Sequence, residues 1–95
     1  MTMTNTEMKR ENRGLEIEVF SRDRVRIRST WPVSSPRGST SIGTELLRQW
    51  LEAGVEAKRD AGRPSFFEAE AGKAWFYFHI ANNLFRIYLV TVLLR

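Results

Sequence analysis

The functional groups that this chain could use for chemistry are concentrated around its single histidine. His79 is preceded by Tyr77 and followed by Arg86 and Tyr88. A histidine titrates near neutral pH and an arginine binds phosphate oxygens, so these side chains could together hold and cleave a phosphodiester. A small basic endoribonuclease is therefore one alternative. A lone histidine on a sheet more often packs against its neighbours, so we expect a protein that is not an enzyme and assign no catalytic residue.

Other catalytic and metal-binding chemistries lack the residues that they need. The sequence has no cysteine, which excludes disulfide bonds, thiolate metal sites and cysteine nucleophiles. One histidine excludes a metal site with two imidazoles, and the carboxylates are too scattered to form a site alone. Glu68 and Glu70 share a strand face, as paired carboxylates for acid–base catalysis would. We expect Glu70 to form an ion pair with Lys73 instead. No phosphate-binding glycine loop or serine elbow is present, and we expect neither a metal nor another cofactor.

The charge of the chain is modest and consists mainly of arginine. Fifteen Lys and Arg against eleven Asp and Glu give a net charge of +4. Four of the arginines form a basic strand at a spacing of two residues: Arg22, Arg24, Arg26 and Arg28. Side chains at that spacing project to one side of a strand and could follow a phosphate backbone. The opposing interpretation is a solvated strand whose charge is partly neutralised by Glu16 and Glu18.

Alternation of apolar and charged residues predicts a β-hairpin near the N-terminus. Leu15–Phe20 alternates, and the alternation resumes at Val25. Matching the apolar faces places Val19 opposite Val25 across a three-residue loop. The same register predicts two cross-strand charge pairs, Glu18 with Arg26 and Glu16 with Arg28.

The remaining sequence predicts a loop, a helix and three further strands. Residues 30–40 predict a loop with an apolar anchor, Trp31 and Val33. Helical spacing then extends from Ser41 to Ala61, with Gly54 inside the apolar stripe, where it would let the helix approach a sheet closely. Gly62 and Pro64 end this helix. Alternation predicts strands over 65–70, 74–81 and 84–94, with turns at 71–72 and 82–83.

The predicted fold class is α+β, a single domain of ββαβββ order with one amphipathic helix packed on one face of a mainly antiparallel sheet. Residues 14–95 form the domain, and the polar residues 1–13 form a flexible N-terminal tail. That tail lacks the apolar core of a signal peptide. The apolar run Ile87–Leu94 is shorter than the about 20 residues of a spanning helix, so we expect a cytoplasmic protein with no membrane partner.

Pairing the C-terminal strands across these turns assigns their residues to two faces. The face toward the helix would pair Phe67 with Phe76, Phe78 with Ile87, and Phe76 with Leu89. The opposite face would pair Phe66 with Tyr77, Glu68 with Trp75, His79 with Arg86, Tyr77 with Tyr88, and Trp75 with Val90, with Val92 and Leu94 further along. Because this second face is too apolar for water, we predict a binding surface composed of Phe66, Trp75, Tyr77, His79, Arg86 and Tyr88.

Three occupants of this surface are compatible with the sequence. The first is the chain itself, through the loop with Trp31 and Val33 or through the N-terminal tail. The second is another copy of the protein, because Tyr and Trp are typical of interface cores. The third is a foreign partner, such as unpaired bases that stack on the rings.

The expected function is that of a small non-enzymatic binding protein. It would dock the aromatic and arginine-bearing sheet face onto nucleic acid, onto a nucleic-acid-handling protein complex, or onto itself as a homodimer. One alternative is a phage- or plasmid-type inhibitor or immunity protein that blocks a bacterial enzyme, as anti-CRISPR proteins do. The endoribonuclease is the second alternative, because a helix followed by a C-terminal antiparallel sheet resembles in outline the bacterial mRNA-cleaving toxins, from which this chain departs by opening with a hairpin.

Overall fold

The computed structural model describes residues 14–35 and 41–95, and these form one helix and a seven-stranded sheet. The elements are β1 (Leu15–Val19), β2 (Arg24–Ser29), β3 (Val33–Ser34), α1 (Ser41–Ala53), β4 (Val55–Asp60), β5 (Arg63–Ala71), β6 (Ala74–Ala81) and β7 (Arg86–Leu94). The strand order is β1-β2-β4-β5-β6-β7-β3. All neighbouring strands are antiparallel except β3 and β7, which run parallel. The predicted N-terminal tail, residues 1–13, lies outside the described residues.

The predicted architecture of one helix on a mainly antiparallel sheet is confirmed, but the predicted ββαβββ order is wrong. Two strands were not predicted: β3 before the helix and β4 after it. Strand β3 has only two residues, and among the described strands it pairs with the distant β7 alone. Strand β4 occupies part of the segment that was predicted as the second half of the helix, because Ala57 and Ala61 happen to continue the helical spacing.

The helix ends at Ala53 because of Gly54. This glycine has a φ of +96°, a conformation that residues with a side chain rarely adopt. Its amide donates a hydrogen bond to the Trp50 carbonyl at 2.9 Å, and Val55 then begins β4. Gly54 is therefore a C-terminal helix stop of the kind that glycine commonly provides. The sequence-based assignment of Gly54 to the middle of a longer helix is wrong.

The helix packs on the inner face of a sheet that curls around it. It contacts β2 near one end of the strand order and β7 and β3 at the other end. Its Leu47 and Leu51 are fully buried among the apolar residues of the strands. The close approach predicted at Gly54 occurs instead at Gly43, where an added Cβ would lie 3.0 Å from Cγ1 of Val92 on β7.

The loop anchor Trp31 belongs to the core. Its side chain is buried, and its ring meets that of Phe85 edge to face at 5.5 Å. Its amide donates to Oγ of the buried Ser29 at 3.0 Å. Val33 lies beside Ile87, a residue of the inner face. The suggestion that Trp31 and Val33 cover the aromatic sheet face is therefore wrong.

Candidate binding face

The face of the sheet opposite the helix, called the outer face below, holds all six residues of the predicted binding surface. Side chains alternate between the two faces along a strand. Phe67, Phe76 and Ile87 are buried on the inner face, so their neighbours project outward. The outer face thus receives Phe66 from β5, then Trp75, Tyr77 and His79 from β6, then Arg86 and Tyr88 from β7.

The neighbours predicted across β5 and β6 are wrong by two residues. The turn is formed by Gly72 and Lys73, with Gly72 at a φ of +60°, and not by residues 71–72. Moving the turn by one position changes every partner by two, which preserves the faces. The observed pairs are Phe66 with His79, Phe67 with Phe78, Glu68 with Tyr77, Ala69 with Phe76, and Glu70 with Trp75.

The pairing of β6 with β7 differs from the prediction in two ways. The connection contains a 3-10 turn, Asn82–Leu84, followed by Phe85 at a φ of +53°, so the observed pairs are His79 with Tyr88, Phe78 with Leu89, Ile80 with Ile87, and Ala81 with Arg86. A β-bulge then shifts the register so that Tyr77 pairs with Thr91 and Trp75 with Leu93. An extra residue in one strand reverses the faces beyond it. Val92 and Leu94, predicted on the outer face, therefore belong to the inner side.

The five rings of the outer face, called the aromatic row below, are Phe66, Trp75, Tyr77, His79 and Tyr88. The centroids of Phe66 and His79 lie 4.6 Å apart with their planes inclined by 28°. Spacings of 5.6 to 6.3 Å with small interplanar angles connect the other neighbours in the row. All five side chains are partly buried. At 4.6 Å two nearly parallel rings overlap in an offset stack, so Phe66 and His79 cover part of each other's faces.

Polar side chains around the row fix the positions of its members. The guanidinium carbon of Arg63 lies 4.4 Å from the ring centroid of Phe66, a cation–π geometry. Oγ of Ser65 is 3.1 Å from Nδ1 of His79. Arg86 donates from its guanidinium to Oγ of Ser34 at 2.7 Å.

Tyr77 is held by a hydrogen bond that changes the acidity of both partners. Its hydroxyl donates to Oδ2 of Asp60 at 2.5 Å, and the Gly62 amide donates to Oδ1 of the same carboxylate at 2.9 Å. The bond from Tyr77, and secondarily that from Gly62, lowers the pKa of the Asp60 carboxyl. The bond to Asp60 raises the pKa of the Tyr77 hydroxyl. The phenol is therefore kept neutral and oriented.

The basic strand is more neutralised than its spacing alone implies. Arg22 lies in the turn before β2, and the other three arginines, Arg24, Arg26 and Arg28, project from β2. The predicted register of the hairpin is confirmed, with Val19 opposite Val25, Glu18 opposite Arg26 and Glu16 opposite Arg28. On its other side β2 pairs with β4, and Arg26 forms an ion pair with Glu56 at 3.7 Å.

A groove crosses the outer face between the basic strand and the aromatic row. Its side chains carry charges of both signs beside one ring: Arg24, Lys58, Glu56, Glu68, Glu70 and Trp75. Glu70 does not pair with Lys73 as expected but forms an ion pair with Arg95 at 2.7 Å. A surface of this composition can recognise a partner that has acidic, basic and apolar groups.

The constellation that the alternative endoribonuclease would need, His79, Arg86, Tyr77 and Tyr88, is only partly assembled. His79 and Arg86 are not cross-strand neighbours, because His79 lies opposite Tyr88 and Arg86 lies opposite Ala81. Nδ1 of His79 is engaged by Ser65, and the Arg86 guanidinium is engaged by Ser34. Within residues 14–35 and 41–95, no group of three or more His, Asp or Glu side chains is arranged to hold a metal ion.

Sequence reasoning missed the side chains that support the row: Ser34, Asp60, Arg63 and Ser65. Asp60 and Arg63 lie at the β4–β5 turn. This turn was not predicted, because residues 55–61 were assigned to the helix. The Asp-x-Gly spacing of Asp60 and Gly62 was a turn signal that could have identified it. No local signal predicts that Ser34 meets Arg86, because that contact depends on the pairing of β3 with β7.

Comparison with protein-family models, with curated proteins and with solved structures finds no match to this chain. None of the described helices has the length and apolar character needed to cross a membrane.

Proposed function

We propose that this protein is a non-enzymatic binding domain that docks its outer face onto another protein. The observation that carries the proposal is the aromatic row, five partly buried rings gathered on one sheet face. The helix and Trp31 pack on the opposite side of the sheet. Ordered aromatic side chains beside arginines are typical of the centres of protein interfaces, where a few such residues contribute most of the affinity.

The stacking within the row favours a protein over single-stranded nucleic acid. Platforms that bind unpaired bases present ring faces on which each base can lie. Here Phe66 and His79 overlap each other at 4.6 Å, and Arg63 lies 4.4 Å from the centroid of Phe66. The ring faces of Phe66 and His79 are therefore partly covered by side chains of the same domain. What the row offers to a partner is an apolar surface with polar ring atoms, which suits side chains better than bases.

The charges of the outer face support the same choice. Arg26 has Glu18 opposite it on one side and Glu56 on the other. The groove beside the row carries three glutamates with one arginine and one lysine. A phosphate backbone would be repelled by these carboxylates as well as attracted by the basic strand. A protein surface with both signs of charge can complement this face.

Site-specific photo-cross-linking in the native host tests the proposal. A photoreactive amino acid replaces Tyr88 in the aromatic row, and in a matched control it replaces Gln49, an exposed residue of α1. We expect the Tyr88 position to give an adduct of one defined mass that contains a second, different protein. The Gln49 position should give none, because it lies on the helix and not on the outer face.

Three outcomes would contradict the proposal. An adduct that disappears after nuclease digestion identifies nucleic acid as the occupant. An adduct with the mass of two copies of this chain identifies a homodimer through the aromatic row. Equal adducts from Tyr88 and Gln49, or none from either, show that the outer face is not the docking surface.

A further inference from the structure

Within residues 14–35 and 41–95, the second half of β7 has a partner strand on only one of its two edges. One edge of β7 pairs with β6 along its length. Strand β3 covers the other edge only at Ile87 and Tyr88. Among residues 14–35 and 41–95, none extends this ladder beyond Tyr88. An uncovered strand edge presents a row of main-chain donors and acceptors to any extended chain that approaches it.

Two hydrogen bonds define which main-chain groups point toward this free edge. The Ile87 amide donates to the Pro32 carbonyl, on the side of β3, and the Arg95 amide donates to the Lys73 carbonyl, on the side of β6. Main-chain groups of successive residues point to opposite edges of a strand. Counting back from Arg95, those of Leu93 point to β6, and those of Leu94 and Val92 point to the free edge.

The side chains along this edge are apolar and exposed. Val90, Leu93 and Leu94 are 47%, 57% and 59% exposed. No charged residue occurs in β7 between Arg86 and Arg95. Natural proteins usually protect a free edge with charged side chains. The other edge of this sheet, β1, follows that rule with Glu16 and Glu18, whereas the end of β7 does not.

We propose that the free edge of β7 pairs antiparallel with the same edge of a second copy of this chain. With Leu93 opposite Leu93 of the second copy, Val92 of each chain lies opposite Leu94 of the other. These are the residues whose main-chain groups point to the free edge, and each pair exchanges two N–H···O bonds. A two-fold axis through Leu93 therefore gives both chains the same main-chain hydrogen bonds.

The charge pattern permits self-pairing at the end of β7 and opposes it at β1. Self-pairing of β7 sets Thr91 opposite Arg95 and brings no two like charges together. Self-pairing of β1 would bring glutamates close to glutamates, which is unfavourable. Leu93 lies beside Trp75 on the outer face, so the dimer would join two outer faces into one continuous sheet. This inference does not depend on the proposed function, because it rests on the edge and not on the aromatic row.

A charge-swap experiment tests the pairing and its register. Wild-type protein is expected to sediment as two chains. Leu93→Lys and Leu93→Glu should each sediment as one chain, because like charges then face each other across the axis. An equimolar mixture of the two variants should sediment as two chains. Leu84→Lys is the matched control, since Leu84 is 56% exposed but lies in the 3-10 turn, and it should sediment as two chains.

Disulfide trapping covers the case in which the charged variants fail to fold. The chain has no cysteine, so Leu93→Cys introduces a single thiol. Directly opposed residues of a non-hydrogen-bonded antiparallel pair have Cα atoms about 4.5 Å apart, within the range of a disulfide. We expect mild oxidation to link two Leu93→Cys chains and to leave Leu84→Cys chains unlinked.

The proposal is overturned by a wild-type protein that sediments as one chain at the highest soluble concentration. That result would show that the edge does not pair with a second copy. It is also overturned by a dimer that persists in both charged variants, by a mixture that does not reassociate, or by equal oxidation of Leu93→Cys and Leu84→Cys.

Discussion

Replacement of Gly54 by alanine tests whether the helix ends at this residue. A glycine inside a helix and a glycine that ends a helix predict stability changes of opposite sign. If Gly54 lay inside a helix, alanine would stabilise the protein by about 1 kcal/mol. In the structure Gly54 has a φ of +96°. For a residue with a Cβ, a left-handed conformation costs roughly 1–2 kcal/mol. The protein should therefore lose stability.

The magnitude follows from the backbone alone, because the site has space for a methyl group. The nearest atoms to an added Cβ are Nε of Arg28 at 3.8 Å and Cδ of Arg26 at 3.9 Å, both ordinary van der Waals contacts. No steric penalty is added, and we expect a net loss of about 1–2 kcal/mol. Gly54→Asn should lose less than Gly54→Ala, since asparagine tolerates positive φ better than other residues.

Equilibrium unfolding in urea is the assay. With a denaturant slope of about 1 kcal/mol/M for a domain of this size, the midpoint of Gly54→Ala should fall by roughly 1–2 M. Gly62→Ala is the matched control, because Gly62 has no positive φ and an added Cβ meets only Oδ1 of Asp60, at 3.8 Å. Its midpoint should not move by more than about 0.5 M. A midpoint for Gly54→Ala that rises above the wild-type value would refute the helix stop.

Two further predictions concern single hydrogen bonds. The chain has two tyrosines, so in a Tyr88→Phe background the ultraviolet titration of phenol ionisation reports Tyr77 alone. The bond to Asp60 raises the pKa of Tyr77. Asp60→Asn should therefore lower that pKa. Ser29→Ala removes the acceptor of the Trp31 amide inside the core and should destabilise the protein by about 1–3 kcal/mol in urea unfolding.

The bond between Tyr77 and Asp60 also predicts a pH dependence of stability. The folded-state pKa of Asp60 is lowered. Its contribution to the free energy of unfolding is therefore present above the unfolded pKa and is lost as the pH falls through the folded pKa. The folded-state pKa of Tyr77 is raised, so its contribution is present below the unfolded pKa and is lost as the pH rises through the folded value. Asp60→Asn should reduce the loss of stability at both the acidic and the basic end of the pH range. An unchanged titration of Tyr77, or an unfolding profile with the same pH dependence as wild type, would argue against this bond in solution.

Local patterns predicted the parts of the fold that short-range physics determines. The Val19–Val25 register was predicted because alternation leaves one register that places the apolar residues of both strands on the same face of the hairpin. The membership of the aromatic row was predicted for the same reason, since moving a turn by one position changes neighbours but preserves faces.

The parts that sequence reasoning missed depend on long-range pairing or on a single backbone angle. Strand β4 was missed because residues 55–61 fit both a helical and an alternating period, and only the φ of Gly54 decides between them. The bulge in β7 places Val92 and Leu94 on the inner side instead of the predicted outer face, and nothing in the apolar run Ile87–Leu94 marks its position. The pairing of Ser34 with Tyr88 joins segments from opposite ends of the domain.

The position of β3 has a consequence for the order in which the protein folds. In the part of the sheet that the structure describes, β3 neighbours only β7, and the helix that follows β3 packs on both β2 and β7. The core is thus closed by a strand that lies more than fifty residues after β3 in the sequence. Contacts between such distant segments slow folding, because loop-closure entropy is lost before the contacts form. The hairpin of β1 and β2 and the helix are therefore expected to form first, in a partly folded chain with exposed apolar surface, and the pairing of β3 with β7 is expected to follow.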